Sequence, residues 1–146
     1  AERSWNLRVT VMSQRVLVVE DNAVNLELTV VLLEQAGCEV LTATSADAGL
    51  RLAAGERPDL ILMDLHLPDM TGYEATQRLK ADPATAGIPV VALTADAMRG
   101  TEARAEAAGC DAYLTKPLDI EALHETLRRL LPSRQQGARG GEEPRG

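Results

Sequence analysis

Polar residues of a few chemical types stand where short hydrophobic runs of this chain end. Glu20 and Asp21 follow RVLVV, Asp64 follows LILM, Thr94 follows VVAL, and Lys116 follows AYLT. Each run is continuous and rich in Val, Ile and Leu, which is typical of a strand buried on both faces of a parallel sheet. Ligands of such sheets bind outside the carboxyl ends of the strands. We therefore predict that these five residues share one pocket.

The chemistry of such a pocket is that of a phosphoryl group and a divalent cation. Three carboxylates in close proximity repel one another unless a cation joins them, and their oxygens are ligands that Mg²⁺ prefers. Lys116 adds a point charge suited to phosphate, and Thr94 adds a hydroxyl donor. Taken singly, an acidic residue after a strand is more often a solvated loop residue or a helix cap, and Asn22 or Asp21 could cap the next helix. The joint placement of all five favours the pocket.

Four sequence motifs carry a resemblance to a known family. The motifs VEDN, LILMDLHLPDMTG, ALTA and YLTKP occur in this order along the chain. Over residues 14–131 the sequence resembles the receiver domains of two-component response regulators. The segment VEDNxxN is most similar to receivers of hybrid sensor kinases and of single-domain regulators of the cell-division type.

The expected fold is α/β, a doubly wound five-stranded parallel sheet with helices on both faces. The sequence indicates strands near 15–20, 39–44, 60–64, 89–94 and 112–116, with helical patterns between them. The resemblance implies the flavodoxin-like strand order 2-1-3-4-5.

Helical spacing and glycines mark the predicted helices. Apolar residues recur at helical spacing in the first helix, and Gly37 and Gly109 are expected to end two helices. The last helix is expected to bury leucines and to stop before Pro132. The apolar residues concerned are Val24, Leu28, Val31 and Leu32 in the first helix, and Leu123, Leu127 and Leu130 in the last.

The resemblance implies a role for each residue of the pocket. Asp64 would be the phosphoacceptor, while Thr94 and Lys116 would hold phosphoryl oxygens. Asp21 would bind Mg²⁺ directly, Glu20 through water, and His66 through its backbone carbonyl. Phosphoryl transfer needs positioning and charge neutralisation more than covalent help, which agrees with such a set.

The resemblance also implies a switch and a means of setting the phosphoryl lifetime. Thr94 would move toward the phosphoryl group, and Tyr113 would then turn inward and repack the face of the fourth helix, fifth strand and fifth helix. The alternative is that Tyr113 is only a half-buried strand aromatic. The side chains of His66 and Asp96 would flank the hydrolytic water, although a lone loop histidine is often exposed and inert. The Lys116-Pro117 bond is expected to be cis.

Length, composition and charge limit the number of domains and the classes of partner that we expect for this chain. The 146 residues, 45% of them hydrophobic, suit one globular domain, and the net charge of −7 argues against direct nucleic-acid binding. No apolar stretch approaches the ~18 residues of a membrane helix, so we expect no membrane contact and a cytoplasmic location. Residues 1–13 are interpreted as a leader or a remnant of cloning, and 132–146 as a disordered tail. Cys38 and Cys110 are expected to be reduced, buried thiols.

The predicted function is a single-domain receiver that takes a phosphoryl group on Asp64 from a histidine kinase or a phosphotransfer protein. It would signal to a downstream protein through the switching face. Such a protein would catalyse its own phosphorylation and dephosphorylation, so its status as an enzyme is a matter of definition.

Other functions remain as alternatives to this prediction. The chain could be the receiver fragment of a hybrid histidine kinase, or an interaction domain independent of phosphorylation. A haloacid dehalogenase-type phosphatase would need an acid/base Asp at the position of His66. A flavin-binding protein would need a hydroxyl- and glycine-rich phosphate loop after the first strand, where this chain has Glu20, Asp21 and Asn22.

Overall fold

The computed structural model describes residues 14–95 and 100–131, and in them five parallel strands alternate with five helices. The strands are β1 (Arg15–Val19), β2 (Glu39–Ala43), β3 (Leu60–Asp64), β4 (Val90–Thr94) and β5 (Ala112–Thr115). The helices are α1 (Ala23–Gln35), α2 (Ala46–Glu56), α3 (Gly72–Ala81), α4 (Thr101–Ala108) and α5 (Ile120–Leu130). The predicted strands are confirmed to within one residue at each end. The predicted leader and tail lie outside the described residues.

The sheet has the order β2-β1-β3-β4-β5, and every neighbouring pair is parallel. The predicted doubly wound order 2-1-3-4-5 is therefore confirmed. Strands β1, β3 and β4 lie inside the sheet, and the last two are buried along their whole length. This burial explains why they appear in the sequence as continuous hydrophobic runs, since helices cover both faces of the sheet.

Alternate residues of each inner strand point to opposite faces of the sheet and form two separate cores. Val16 and Val18 of β1 face α1 and α5, whereas Leu17 and Val19 face α2 and α3. The first core contains Leu33, Leu60, Leu62, Val91, Leu93, Leu123 and Leu127; the second contains Ala46, Ala53, Ile61, Met63, Ala75 and Leu79. Each fully buried leucine contributes about 2 kcal/mol of transfer free energy to folding.

The apolar pattern locates α1 correctly but does not identify its buried face. Val24, Leu28 and Val31 are 73%, 45% and 43% exposed, and the buried positions of α1 are Thr29 and Leu33. These three residues therefore do not form the face of α1 that packs against the sheet. Of the apolar residues Val24, Leu28, Val31 and Leu32, only Leu32 packs against the core. The physical reason is that α1 is apolar on more than one side, so spacing alone cannot select the side that meets the sheet.

Local signals account for where the helices begin and end. The side chains of Asn22, Ser45 and Thr71 each accept a hydrogen bond from the backbone N–H three residues later, at the amino ends of α1, α2 and α3. Such caps are typically worth about 1 kcal/mol each. Gly37 and Gly109, after α1 and α4, have φ of +92° and +108°, a left-handed conformation that glycine adopts without strain. Helix α5 ends before Pro132, as predicted, with Leu123 and Leu127 buried.

The two cysteines are free thiols, as predicted, but they are half-buried rather than buried. Burial raises the pKa of both thiols, so each stays protonated near neutral pH. Cys110 lies 3.7 Å from the hydroxyl of Thr76, on the side of the sheet covered by α3 and α4. Neither cysteine has the exposed, electropositive setting of a reactive thiol.

Candidate functional site

The carboxyl ends of the strands bring the predicted residues to one edge of the sheet. Asp64 is the last residue of β3 and Thr94 the last of β4. Glu20 directly follows β1, where its backbone N–H donates to the carbonyl of Ala43 over 3.0 Å. Lys116 directly follows β5, and its N–H donates to the carbonyl of Thr94 over 2.8 Å. The parallel register thus aligns the ends of all these strands.

Three carboxylates meet at this edge. Glu20, Asp21 and Asp64 each offer one oxygen, and these oxygens lie within 4.8 Å of one another. Glu20 and Asp64 are 1% and 3% exposed, whereas Asp21 is open to solvent. The group is therefore a pocket with two buried acids at its base and one acid at its mouth.

Lys116 is the cation that lies against this acidic group. Its Nζ is 2.6 Å from Oε1 of Glu20 and 3.4 Å from Oδ2 of Asp64. The Lys116-Pro117 peptide bond is cis, as predicted. Because both carboxylates are buried, removing the ammonium would leave two like charges in a site of low dielectric, which is strongly unfavourable.

The surroundings of Glu20 shift its proton equilibrium. Burial raises the pKa of Glu20 above its ordinary value of 4.5, and the nearby Asp64 raises it further. The hydrogen bonds from Lys116 and from the backbone N–H of Asn22 act in the opposite direction. The net rise means that the folded protein holds a proton on Glu20 more readily than the unfolded chain does, until a cation compensates the charge.

The backbone after β3 orients the Asp64 carboxylate. Its Oδ1 accepts a hydrogen bond of 3.0 Å from the N–H of His66, while its Oδ2 faces Lys116. Gly72, the first residue of α3, packs directly against the backbone carbonyl of Asp64. The carboxylate is thus fixed on one side by a backbone donor and on the other by a cation.

The remaining predicted site residues differ from one another in how far they are buried. Thr94 is fully buried, and Tyr113 is half-buried against a small cluster of Leu65, Ala92 and Ala105. The side chain of His66 is exposed. Asp96 lies outside the described residues, so its role stays a prediction.

Asp69 has a structural role near the site that the sequence interpretation missed. Its two carboxylate oxygens accept hydrogen bonds from the backbone N–H groups of Ala46 and Asp47, at the amino end of α2. The only signal in the sequence is an acidic residue in the turn LPDMTG after Asp64, which does not reveal a partner more than 20 residues away.

Comparisons with known proteins identify the family. The family model described as response regulator receiver domain matches residues 16–128. This chain belongs to the receiver domain family. It is 42% identical over 120 residues to the polar-differentiation response regulator DivK of Brucella ovis, covering 82% of this chain and 98% of DivK.

Solved structures of other receivers have the same fold. The receiver domain of a sensor histidine kinase from Pseudomonas aeruginosa, with a magnesium ion in its active-site cleft, has a TM-score of 0.77 and 35% identity, covering 82% of this chain and 98% of that one. A match with a TM-score of 0.73 and 27% identity comes from the Saccharomyces cerevisiae co-crystal structure of the phosphotransfer protein Ypd1 with the receiver domain of Ssk1. It covers 81% of this chain and 88% of that one.

The donor set of this receiver suits a hard divalent cation. Three carboxylate oxygens converge, with no sulfur or imidazole nitrogen among them, and this is the ligand chemistry of hard cations such as Mg²⁺ rather than of metals held by thiolate or imidazole. In residues 14–95 and 100–131, no helix is long and apolar enough to cross a membrane.

Proposed function

We propose that this receiver accepts a phosphoryl group on Asp64 from a phosphohistidine donor and signals through its α4-β5-α5 face. The observation that carries the proposal is the placement of Asp64. Its carboxylate lies at the base of an acidic pocket, within 3.4 Å of the Lys116 ammonium. A nucleophilic carboxylate beside one cation and two further acids suits phosphoryl transfer, which requires positioning and charge neutralisation.

Mg²⁺ would be held by the carboxylates of Asp21, Glu20 and Asp64 and by the backbone carbonyl of His66. When bound, Mg²⁺ neutralises charge on the acceptor and on the phosphoryl oxygens. Asp21 is the exposed member of the group and is accessible for a direct bond to the metal. Glu20 is already hydrogen-bonded to Lys116 and to the N–H of Asn22, which suits contact through a bound water.

The transfer itself forms one bond and breaks one. A carboxylate oxygen of Asp64 attacks phosphorus, the P–N bond to the donor histidine breaks, and its electron pair stays on the imidazole nitrogen. Lys116 supplies positive charge to the phosphoryl oxygens as they leave the donor, and the Thr94 hydroxyl donates a hydrogen bond to one of them. Hydrolysis of the acyl phosphate later restores the Asp64 carboxylate and releases inorganic phosphate.

The output of the receiver is a change on the α4-β5-α5 face. Thr94 is the last residue of β4, next to β3 with Asp64, and Tyr113 lies on the neighbouring strand β5, packed against the cluster of Leu65, Ala92 and Ala105. Movement of Thr94 toward the phosphoryl group would open space for Tyr113, whose inward turn would alter the surface presented to a downstream protein. The packing of Tyr113 against this cluster supports the route, because Ala105 belongs to α4 and connects the cluster to the proposed output face.

The exposed side of α1 is the proposed docking surface for the phosphohistidine protein. Val24, Leu28 and Val31 project into solvent from a helix that begins two residues after Asp21, and Ile120 of α5 is 42% exposed. A donor histidine must reach the mouth of the pocket, so its carrier has to rest on surfaces next to that mouth. Val24, Leu28 and Val31 are four and three residues apart, so they lie along one side of α1, and a contiguous exposed apolar stripe marks an interaction site.

A protein phosphodonor and a small-molecule phosphodonor together distinguish an effect on docking from an effect on phosphoryl transfer. Leu28→Ser should slow transfer from phosphorylated Ypd1, because the apolar contact is lost, and should leave phosphorylation by acetyl phosphate unchanged, because a small donor needs no docking surface. Glu27→Ser, an exposed substitution on the same helix, serves as the control. Equal slowing with both donors would show that Leu28 affects the pocket instead.

Intact-protein mass tests the proposal as a whole. Incubation with acetyl phosphate and Mg²⁺ should add one phosphoryl group of ~80 Da to the wild-type protein. Asp64→Asn and treatment with chelator should each abolish the adduct. Asp47→Asn, which removes an exposed carboxylate that is paired with Arg51, should leave it intact. An adduct that survives in Asp64→Asn would exclude the proposed acceptor.

The same chemistry serves a free-standing regulator and a receiver within a histidine kinase, and both kinds occur among the similar proteins. We propose a regulator of the DivK-like kind, working in the cytoplasm, on the strength of the 42% identity along 98% of DivK. The mass of the product of the intact gene distinguishes the two arrangements.

A further inference from the structure

The amino end of α2 is held by a residue that lies far away in the sequence. The first N–H groups of a helix lack partners within the helix. In α2 the N–H of Ala48 donates to the Ser45 side chain over 3.1 Å. The N–H groups of Ala46 and Asp47 donate to Oδ1 and Oδ2 of Asp69 over 2.9 and 2.8 Å. One distant carboxylate therefore satisfies two of the three donors.

Asp69 belongs to the loop 65–71, which joins the phosphoacceptor strand β3 to α3. The base of the loop is closed by the N–H of Gly72, which donates to the carbonyl of Leu65 over 3.0 Å, and by an antiparallel bridge between His66 and Thr71. Asp69 lies at the opposite end of the loop, where its carboxylate binds α2. The loop is thus fixed at its base and at its tip.

The carboxylate of Asp69 is held in its charged form. The hydrogen bonds from Ala46 and then Asp47 lower the pKa of Asp69 below its ordinary value of 3.8, although the residue is exposed. The positive end of the α2 dipole favours the same charge. An exposed aspartate in a turn is usually solvated, whereas this one joins α2 to the loop that follows the phosphoacceptor strand.

We infer that Asp69 is a positioning residue for the metal site. The inference rests on the proposed function, in which the His66 carbonyl binds Mg²⁺ from this same loop. Mg²⁺ demands near-ideal octahedral geometry, so its affinity depends on how closely each oxygen is held in place. Fixing the tip of the loop to α2 limits the movement of His66, and releasing it should weaken metal binding without removing any ligand.

Asp69→Ala tests this inference, with Ser45→Ala as the matched control. Both variants remove a cap from the amino end of α2, but only the first releases the loop. Titration calorimetry should show Mg²⁺ affinity reduced roughly 3- to 10-fold in Asp69→Ala, less than the loss typical for partners bonded to a ligand itself. In Ser45→Ala the affinity should stay within about 2-fold of wild type, because no ligand-bearing loop is released.

A conservative variant and hydrogen exchange separate positioning from a general loss of stability. Asp69→Asn keeps one acceptor oxygen, so its Mg²⁺ affinity should fall between those of wild type and Asp69→Ala. The amide protons of Ala46 and Asp47 should lose protection in Asp69→Ala while that of Ala48 is retained. Urea unfolding should show both variants fully folded under the conditions of the Mg²⁺ titration, with the larger fall in midpoint for Asp69→Ala, which loses two hydrogen bonds rather than one.

The possible outcomes distinguish this inference from the proposed function. If Asp69→Ala and Ser45→Ala bind Mg²⁺ equally well, Asp69 is only a helix cap and the inference is overturned. If the wild-type protein binds Mg²⁺ and Asp69→Ala binds it more weakly, yet neither is phosphorylated, the inference stands and the phosphoacceptor proposal fails. Failure of the wild-type protein to bind Mg²⁺ would overturn both.

Discussion

Replacement of Gly72 by alanine should destabilise this protein although alanine is the better helix former. A Cβ on Gly72 would overlap the backbone carbonyl oxygen of Asp64 and lie 2.8 Å from the Cα of Leu65. These neighbours are backbone atoms of the phosphoacceptor strand end and cannot turn away as a flexible side chain could. Overpacking of this kind costs up to about 3 kcal/mol. The gain from replacing a helical glycine is at most about 1 kcal/mol. The net loss is therefore about 2 kcal/mol.

Urea unfolding measures this loss. With a slope of about 2 kcal/mol per molar of urea, the midpoint should fall by about 1 M in Gly72→Ala. Gly55→Ala is the control, because Gly55 lies in α2 with no atom within 4 Å of the added Cβ. There the lower backbone entropy of the unfolded chain should raise stability by about 0.5–1 kcal/mol. A Gly72→Ala midpoint equal to or above that of wild type would refute the steric reasoning.

Three further predictions concern the pocket. Without metal, the free energy of unfolding of the wild type relative to Glu20→Gln should be greatest below the ordinary Glu20 pKa of 4.5. It should decline as pH rises through the raised pKa of the folded protein. Urea midpoints of both proteins across this pH range test the prediction, and a difference in midpoint that does not change with pH would contradict it. Lys116→Met should bind Mg²⁺ on the order of tenfold more tightly, since a competing positive charge is gone, yet be phosphorylated by acetyl phosphate about 100-fold more slowly. Calorimetry and intact mass measure the two effects, and unchanged phosphorylation would exclude a role for Lys116. Thr94→Val should be phosphorylated but lose the change in the Tyr113 NMR signal on adding beryllofluoride, while Thr94→Ser should retain it; a retained change in Thr94→Val would exclude Thr94 as the trigger.

The sequence predicts the pocket because it depends on topology alone. Once the hydrophobic runs are interpreted as parallel strands, Asp64 and Lys116 must lie at the same edge of the sheet, whatever the details of packing. The identity of the buried face of α1 is a different problem. Valine and leucine occur on several sides of this helix, and only the position of the sheet decides that Leu33 is buried while Val24 is exposed.

Tertiary placement also explains why the role of Asp69 could not be predicted. Its hydrogen bonds to Ala46 and Asp47 join residues more than 20 positions apart, and no local pattern specifies such a pair. The caps Asn22, Ser45 and Thr71 each bond to the residue three positions later. Such caps follow from sequence because donor and acceptor lie within one helical turn.

The central claim is that Asp64 takes the phosphoryl group, and locating the modified residue tests it most directly. After incubation with acetyl phosphate and Mg²⁺, borohydride reduction converts an aspartyl phosphate to homoserine, which tandem mass spectrometry places in the sequence. Homoserine at position 64, absent when Mg²⁺ is chelated, is the predicted result. Homoserine at position 21, the corresponding reduced glutamate (2-amino-5-hydroxypentanoic acid) at position 20, or no reduced acidic residue in a protein whose mass shows the phosphoryl adduct, would contradict it.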